Sequence, residues 1–521
     1  MITDAVNTIQ PTLKESADNS LRAKAFLLFS LLCSVGFLLR YLIAFQDVVY
    51  LDRLFIPDDT FYILSISRSI ANGFGPTTDG VHLTSGFQPL ISFLQLPFFW
   101  LGFNTDKALI FAIYLSAFWG SLSTLVLGYL IKNLSNYSAA IFGCLLWIFC
   151  PIILNNDLNG METSLAGFLN LAAILLVILI DKQSTTLRLT GLGLVCGLAF
   201  LARVDSCFLI LVIAVFTLLR WGFSKTLFYL FLAFIVVLPW WVYAFTTFGS
   251  IVPESGIAIK GWLNLINRSA EFNSMSSLYA LIEWFPLFRE NTFFAFSGIF
   301  LTFYLIGRGS YFAGIYGYLI LLPLIFLFAF YTFYLPAFWF FTRYYYLIYA
   351  FIIICLSLVL TGEPWLKNRL LYFGFLMLIL GVYLINIASF FSKPEKAEDG
   401  IIGSIKGYRE VALEITKHFK PGDIVGSFQS GALGFYVPKY VRIINLDGVV
   451  NKKAAEALKS YSLKSYVNSQ HMNRFADWEF SSYFFQNTYG IDFPAGCFNT
   501  LFRAKSQGSQ HFVLRHYQPK C

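Results

Sequence analysis

Long apolar segments recur along the first 392 residues of this chain, and they limit its fold more than any other feature. The first segment runs from Leu21 to Phe45, and ten more follow at 107–131, 138–154, 164–180, 189–202, 205–220, 226–246, 291–307, 311–335, 343–361 and 369–391. A helix of about 20 apolar residues crosses the hydrocarbon core of a bilayer. The pattern therefore predicts an all-α polytopic membrane module over residues 1–392, with about eleven transmembrane helices.

The composition excludes the main alternatives to a membrane protein. Hydrophobic residues make up 57% of the 521 positions and charged residues only 13%, whereas a soluble domain is about 25% charged. One soluble core could not cover so much apolar surface, and the same composition excludes a disordered chain. The eight cysteines include no Cys-x-x-Cys pair and no Cys and His cluster, so a zinc site is not expected.

Lysine and arginine in the short connections between spans predict the orientation of the chain. With the N-terminus in the cytoplasm, every proposed inner connection holds at least one cation, as the positive-inside rule requires. These cations are Lys14, Arg22, Lys24, Lys132, Lys182, Arg188, Arg220, Lys225, Arg308, Lys367 and Arg369. An odd number of spans then places the C-terminal part outside, with two large outer loops at 46–106 and 247–290. The run at 89–103 is short and begins with proline, so we interpret it as a re-entrant or surface helix.

The C-terminal residues 393–521 differ from the rest of the chain in charge. They carry 17 Lys and Arg and 11 Asp and Glu, although the whole chain has a net charge of only +8. Strand-like segments at 423–427 and 441–446 and a helix-like segment at 451–461 predict a soluble extracytoplasmic α/β domain. The positive charge is too dispersed for a nucleic-acid site. Cys497 and Cys521 share this domain, and whether they form a disulfide is left open.

Two adjacent carboxylates, Asp58 and Asp59, lie just past the first predicted span, at the start of an amphipathic segment. Like charges this close raise the pKa of one group and leave the other ionised. A partly desolvated carboxylate is suited to act as general base for an acceptor hydroxyl. The alternative is that one of the two only caps the helix that begins near Thr60.

The order of several short motifs resembles that of the GT-C superfamily of polyprenyl-phosphate-dependent glycosyltransferases. In the first outer loop these are Asp58-Asp59-Thr60-Phe61-Tyr62, Asn72-Gly73-Phe74-Gly75, Asp79-Gly80 and Thr84-Ser85-Gly86-Phe87-Gln88-Pro89. Further along are Asn159-Gly160-Met161-Glu162-Thr163, Arg203-Val204-Asp205, Pro253-Glu254-Ser255-Gly256, Arg343-Tyr344-Tyr345 and Asn445-Leu446-Asp447-Gly448. The chain is similar to a bacterial group that includes mycobacterial arabinofuranosyltransferases, and more distantly to protein mannosyltransferases and lipid A aminoarabinose transferases. Relatives with a Lys-Pro step place lysine where this chain has Gln88.

The resemblance implies an inverting membrane glycosyltransferase of the GT-C type. It would move a sugar from a polyprenyl-phosphate donor to a cell-envelope glycan, lipid or protein on the outer side of a bacterial cytoplasmic membrane. The role of catalytic base falls on Asp58, with Asp59 as its partner or substitute. A departing phosphate needs positive charge, since electrostatic stabilisation is usually the largest catalytic contribution. Arg343 is favoured for that role because arginine binds phosphate with two parallel hydrogen bonds, and Lys260 and Arg203 are the other candidates.

Four more residues are candidates for substrate binding: His82, Gln88, Asp157 and Glu162. No cofactor is certain, but Asp58, Asp59, Asp157 and Glu162 could converge on a divalent cation, because carboxylate oxygens are its usual ligands.

Each of these candidates also has a structural alternative. Arg203 could simply pair with Asp205, and Arg343 could reach to the membrane interface. Lys260 could be a solvated loop cation, His82 an ordinary hydrogen-bonding residue, and Asp157 or Glu162 a helix cap.

Two other functions remain open at this stage. A transporter or flippase of lipid-linked sugars would be expected to contain internal repeats and buried charges in the middle of its spans, and neither is evident in the sequence. A non-catalytic membrane scaffold would use the C-terminal domain only to bind partners.

Overall fold

A computed structural model describes residues 2–268, 314–335, 341–361, 369–392, 406–479, 497–504 and 511–518. Within these ranges the chain forms a helical membrane module followed by a small α/β domain. The helices of the membrane module are α1 (Ile2–Ala44), α2 (Val48–Phe55), α3 (Asp58–Ala71), α4 (Pro89–Trp100), α5 (Thr105–Leu134), α6 (Tyr137–Phe149), α7 (Pro151–Asp157), α8 (Thr163–Lys182), α9 (Thr186–Ala202), α10 (Cys207–Trp221), α11 (Phe223–Phe248), α12 (Glu254–Arg268), α13 (Tyr318–Ala329), α14 (Phe341–Tyr344), α15 (Tyr346–Thr361) and α16 (Arg369–Ser392).

Membrane-spanning helices are a feature of this fold, as predicted. In the described residues, six helices are long and apolar enough to cross a bilayer, or seven if the bent pair α6 and α7 counts as one span. Ten of the predicted apolar runs coincide with helices, and the run at 291–307 lies outside the described residues. The count of about eleven spans therefore stays a prediction. The run at 89–103 forms the short helix α4, which is not among the spanning helices.

Local sequence explains where several of these helices begin. The side chains of Asn104 and Asn136 accept hydrogen bonds from the amides of Lys107 and Ala139, so they cap α5 and α6. Between α6 and α7 the chain bends by 62°. Pro151 is the first residue of α7 and has no amide hydrogen to donate, while Cys150 before it is extended. The bend directs α7 toward the end of the bundle that carries α3.

The C-terminal domain is an α/β unit, as the sequence predicted. Its elements are α17 (Tyr408–Thr416), β1 (Ile424–Ser427), α18 (Gly431–Tyr436), β2 (Arg442–Asn445), α19 (Lys452–Lys459), α20 (Leu463–Ser469), β3 (Arg474–Trp478), β4 (Phe498–Ala504) and β5 (Phe512–Tyr517). The sheet order is β2-β1-β3-β5-β4. Strand β1 pairs in parallel with β2 and β3, and β5 pairs antiparallel with β3 and β4. Cys497 is buried here, and Cys521 lies outside the described residues.

The carboxyl ends of β1 and β2 face the helix α3 of the membrane module. Asn445, at the end of β2, donates to the Tyr62 hydroxyl at 3.1 Å, and the Ser430 amide donates to the same oxygen at 2.9 Å. Arg68 donates to the carbonyls of Gly434 and Phe435. In open α/β sheets this edge is where ligands usually bind. Here α3 of the membrane module occupies this edge of the sheet.

Two ion pairs and a shared apolar cluster hold the domain in place. Arg53 of α2 forms a two-pronged pair with Glu410, and Asp106 of α5 forms another with Arg409. Apolar residues of both parts join in one cluster that includes Leu51, Phe55, Phe61, Leu433 and Phe435. The C-terminal domain is therefore packed directly against α3.

Candidate active site

The site is built around an ion pair between Asp59 and Arg343. Asp59 lies in the first turn of α3, where the helix dipole favours a negative charge. Arg343 lies in the short helix α14, and its Nη2 is 2.5 Å from Asp59 Oδ2. The Arg343 side chain is 5% exposed and that of Asp59 is 27% exposed. A shielded cation and a carboxylate that solvent can reach thus lie side by side.

Arg203 forms a second cationic centre close by, but two carboxylates already bind it. Its Nη1 donates to Glu162 at 2.9 Å and its Nη2 to Asp205 at 2.8 Å. The Tyr331 hydroxyl donates to the same Asp205 oxygen. The predicted pairing of Arg203 with Asp205 is present, and Glu162 is an additional partner. Glu162 does not cap α8 through its side chain.

An aromatic ring connects the two arginines. The guanidinium carbon of Arg203 lies 5.3 Å from the centre of the Tyr344 ring, and that of Arg343 lies 5.9 Å from it. Tyr331 stacks on Tyr344 with a centroid distance of 4.5 Å. Cations within about 6 Å of an aromatic face are attracted to it. The ring therefore helps to keep two positive groups close together.

A small, partly open cavity lies between these groups and extends toward the membrane helices. Its lining residues are Thr163, Ala166, Gly167, Asn170, Arg203, Asp205, Ser206, Leu327, Arg343, Tyr344, Tyr346 and Leu347. Among the described residues, Thr163 Oγ1 and Asn170 Oδ1 are buried without a hydrogen-bond partner. Both residues line the cavity, so these two atoms are available to a group bound there.

Asp58 points elsewhere. Its carboxylate is 3% exposed and accepts hydrogen bonds from the Gly431 amide at 2.9 Å and the Ala432 amide at 2.8 Å. It therefore caps α18 of the C-terminal domain rather than its own helix. A Cβ on Gly431 would lie 2.3 Å from the Asp58 carbonyl oxygen, so only glycine fits there. The sequence favoured Asp58 as the base; in the structure Asp58 binds backbone amides, whereas Asp59 lies beside Arg343.

Asp157 and Lys260 do not join the pair either. Asp157 is fully buried and binds Arg40 and Tyr346 inside the bundle. Lys260 Nζ lies 3.2 Å from the centre of the Tyr334 ring. Tyr334 is three residues beyond Tyr331, in the short segment that follows α13. Lys260 therefore lies beside the same segment that contacts Arg203 through Tyr331. It is a neighbour of the cavity rather than part of its lining.

His82 and Gln88 lie in the segment between α3 and α4, away from the Asp59–Arg343 pair. His82 Nδ1 lies 2.7 Å from Asp79 Oδ2. Burial alone would raise the pKa of Asp79, but the hydrogen bonds from His82 hold it below its usual value. Gln88 precedes α4 and does not cap it. Among the described residues its Oε1 is a buried atom with no hydrogen-bond partner.

The four carboxylates considered for a divalent cation do not converge. Asp58 binds backbone amides, Asp59 binds Arg343, Asp157 binds Arg40, and Glu162 binds Arg203. In the described ranges no group of three or more His, Cys, Asp or Glu side chains could hold a metal ion. The charge balance of this region comes from arginine instead.

Sequence reasoning did not assign a role to Asp447, although the surrounding motif was noted. Asp447 follows β2 and is 8% exposed. Burial raises its pKa well above the usual range, and the nearby carboxylates of Asp59 and Asp58 raise it further. The signal in the sequence was Asn445-Leu446-Asp447-Gly448 after a strand, since side chains after parallel strands meet at one edge of the sheet.

Comparison with known proteins identifies the fold. No protein-family model and no curated protein sequence matches the chain. Among solved structures, ArnT from Cupriavidus metallidurans bound to undecaprenyl phosphate matches with a TM-score of 0.56 and 13% identity, over 94% of this chain and 97% of ArnT. The oligosaccharyltransferase AglB from Archaeoglobus fulgidus, in complex with an inhibitory peptide and a dolichol-phosphate, matches with a TM-score of 0.53 and 13% identity. That match covers 94% of this chain and 74% of AglB. The chain thus has the fold of the GT-C glycosyltransferase superfamily.

Proposed function

We propose that this protein is an inverting glycosyltransferase that moves a sugar from a polyprenyl-phosphate donor to a hydroxyl-bearing acceptor in the cell envelope. The observation that carries the proposal is the Asp59–Arg343 pair beside a cavity that also contains Arg203 and two unpartnered polar atoms. The fold adds support, because neighbours of that fold were solved with undecaprenyl phosphate and with dolichol-phosphate. The sugar is a hexose or a pentose.

In the proposed reaction Asp59 takes the proton of the acceptor hydroxyl. The acceptor oxygen forms a bond to the anomeric carbon from the side opposite the phosphate. The bond between that carbon and the phosphate oxygen breaks, and its electron pair leaves with the phosphate. The leaving group is a stabilised anion, so the site needs little general-acid catalysis and mainly needs positive charge.

The ion pair couples these two events. Before reaction the donor is a phosphodiester with one negative charge, and Asp59 offsets the charge of Arg343. When Asp59 is protonated, Arg343 loses its anionic partner just as the phosphate gains a second negative charge. Two unit charges about 4 Å apart near a protein surface interact by about 4 kcal/mol. The proton transfer would therefore make a favourable contact available to the leaving group.

The other cations have different proposed roles. Arg203 is held by Glu162 and Asp205, so it fixes the wall of the cavity and contributes less net charge. Lys260 is half-buried at the border of the cavity, where its Nζ donates to the Tyr334 carbonyl, and from there it could approach the phosphate once the donor is bound. Thr163 and Asn170 are suited to bind the donor through their unpartnered oxygens.

We further propose two functional parts, a catalytic membrane module of residues 1–392 and an extracytoplasmic domain of residues 393–521. Asp447 lies in the domain and is electrostatically coupled to Asp59, which supports a role for the domain in covering the acceptor side. The proposed location is a bacterial cytoplasmic membrane, with the N-terminus in the cytoplasm. His82 and Gln88 remain proposed substrate contacts of the first outer segment.

The test is an assay of the purified protein with a panel of polyprenyl-phosphate sugars. Release of polyprenyl phosphate that depends on Asp59 and survives in a folded Asp58→Asn variant supports the proposal. Transbilayer movement of an intact lipid-linked sugar, with no bond cleaved, would instead identify a flippase. If neither is seen with any donor while the protein remains folded, the enzymatic proposal is wrong.

A further inference from the structure

The membrane module contains a buried network that the proposed reaction does not use. Arg40 of α1 donates to Asp157 Oδ2 through Nε at 2.8 Å and lies 2.6 Å from it through Nη2. The Tyr346 hydroxyl donates to the other oxygen, Asp157 Oδ1, at 2.6 Å. Arg40 and Asp157 are completely buried, and Tyr346 is 2% exposed. The three residues come from α1, the end of α7 and the start of α15.

Such a network is costly inside a membrane protein. Removing two charges from water costs several kcal/mol for each ion, and their attraction often fails to repay it. Well-packed apolar residues would therefore give similar stability. Ionisable residues within membrane helices accordingly indicate function more often than stability.

The bundle is also shaped to accommodate these side chains. A Cβ on Gly120 would lie 2.1 Å from the Asp157 carboxyl carbon, and a Cβ on Gly167 would lie 2.2 Å from the Tyr346 ring. Both glycines lie in helix interiors, where glycine costs roughly 1 kcal/mol relative to alanine. The chain thus accepts two unfavourable helix residues at the positions that make room for the network.

The network reaches the candidate active site by two routes. Tyr346 lines the cavity, and it begins α15, three residues after Arg343. Asp157 begins the segment that leads to Met161, whose sulfur lies 3.0 Å from Arg343 Nη1. In the same segment the Asn159 carbonyl accepts a hydrogen bond from Thr60, the residue after Asp59. Both partners of the ion pair are therefore tied to segments that Asp157 anchors.

We propose that Arg40, Asp157 and Tyr346 form a positioning network that fixes Arg343 relative to Asp59 and the cavity. The Tyr346 hydroxyl donates to Asp157, so we infer that the three residues act through Arg343 rather than on the reacting atoms. The inference that Arg343 is thereby held for a lipid phosphate rests on the proposed function, whereas the positioning of Arg343 itself does not. A misplacement of about 1 Å can cost up to roughly 100-fold in rate, so loss of this network should be measurable without unfolding.

The first experiment compares Tyr346→Phe with a matched control, Tyr229→Phe. Tyr229 is also fully buried in the bundle, and its hydroxyl lies 2.9 Å from Thr217, away from the cavity. Two quantities are measured: the affinity for undecaprenyl phosphate in nanodiscs, and the rate at which phenylglyoxal modifies Arg343, followed by peptide mass spectrometry. In Tyr346→Phe we expect affinity to fall about tenfold and modification to accelerate. The control should leave both unchanged.

The second experiment replaces the network by apolar residues: Arg40→Met, Asp157→Leu and Tyr346→Phe together. If the network served stability alone, this variant would keep both its unfolding temperature and its wild-type affinity. The proposal expects a wild-type unfolding temperature with reduced affinity and faster Arg343 modification. Wild-type values of both quantities in Tyr346→Phe would overturn it. If the unaltered protein does not bind undecaprenyl phosphate, the proposed donor is wrong, and Arg343 modification alone decides whether the network positions that residue.

Discussion

Replacing Asp58 should separate docking of the C-terminal domain from catalysis. In Asp58→Ala the amides of Gly431 and Ala432 lose a charged acceptor at 2.9 and 2.8 Å in a buried contact. Hydrogen bonds to charged groups contribute about 1.5–3 kcal/mol each, so a loss of about 3 kcal/mol is a conservative total. Each 1.4 kcal/mol is about tenfold in an equilibrium constant, so the undocked population should rise about 100-fold. Asp58→Asn keeps one acceptor oxygen and should show a smaller effect.

Hydrogen exchange measures this directly. In Asp58→Ala, the amides of α18, Gly431–Tyr436, should exchange about 100-fold faster, while those of α8 in the membrane module should not change. Asp59→Asn is the matched control, because it changes the adjacent carboxylate but leaves the cap of α18 in place. That variant should exchange like the wild type and yet lose turnover. Unchanged exchange in Asp58→Ala, together with turnover lost as completely as in Asp59→Asn, would refute this reasoning and restore Asp58 as the base.

Three further results are expected. Burial raises the pKa of Asp52 to about 7. The contribution of Asp52 to stability is therefore complete below about pH 4 and is lost as pH rises through 7. The unfolding temperature should be higher at pH 5 than at pH 8, and Asp52→Asn should reduce this difference. Arg343→Lys should raise the donor KM by roughly 10- to 100-fold. Arg203→Met should mainly lower the unfolding temperature, because it leaves Glu162 and Asp205 unpaired. Equal effects of both variants on KM, with no change in stability, would contradict the different roles proposed for the two arginines. Gly167→Ala should destabilise the bundle by about 1–3 kcal/mol, since the added Cβ would meet the Tyr346 ring. Calorimetry should show a lower unfolding temperature, and an unchanged one would contradict this packing.

Sequence alone predicted the long apolar helices of this fold and the first two strands of its sheet, but not α2, α12 or strands β3 to β5. Apolar runs are a local property, and they marked the helices that the structure describes, including the shortness of α4. The alternating patterns at 423–427 and 441–446 likewise marked β1 and β2. The order of short motifs also indicated the superfamily, because their sequence of appearance is specific even though each motif is weak.

The choice between the two adjacent carboxylates could not be made from sequence. Successive residues on a helix point about 100° apart, and here the hydrogen bonds of Asp58 and the ion pair of Asp59 go to different partners. Which one meets Arg343 depends on how residues far apart in the chain pack together. Asp58 meets Gly431, 373 residues later, and Asp157 meets Arg40, 117 residues earlier. No local pattern encodes such pairings.

A cryo-EM structure of the protein in nanodiscs with undecaprenyl phosphate would examine the reaction centre itself. We expect the phosphate to enter the cavity, with one of its oxygens about 2.8 Å from an Arg343 nitrogen and the contact between Arg343 and Asp59 lengthened or broken. Headgroup density bound away from Arg343, with the Asp59–Arg343 pair intact, would contradict the proposed role of this pair.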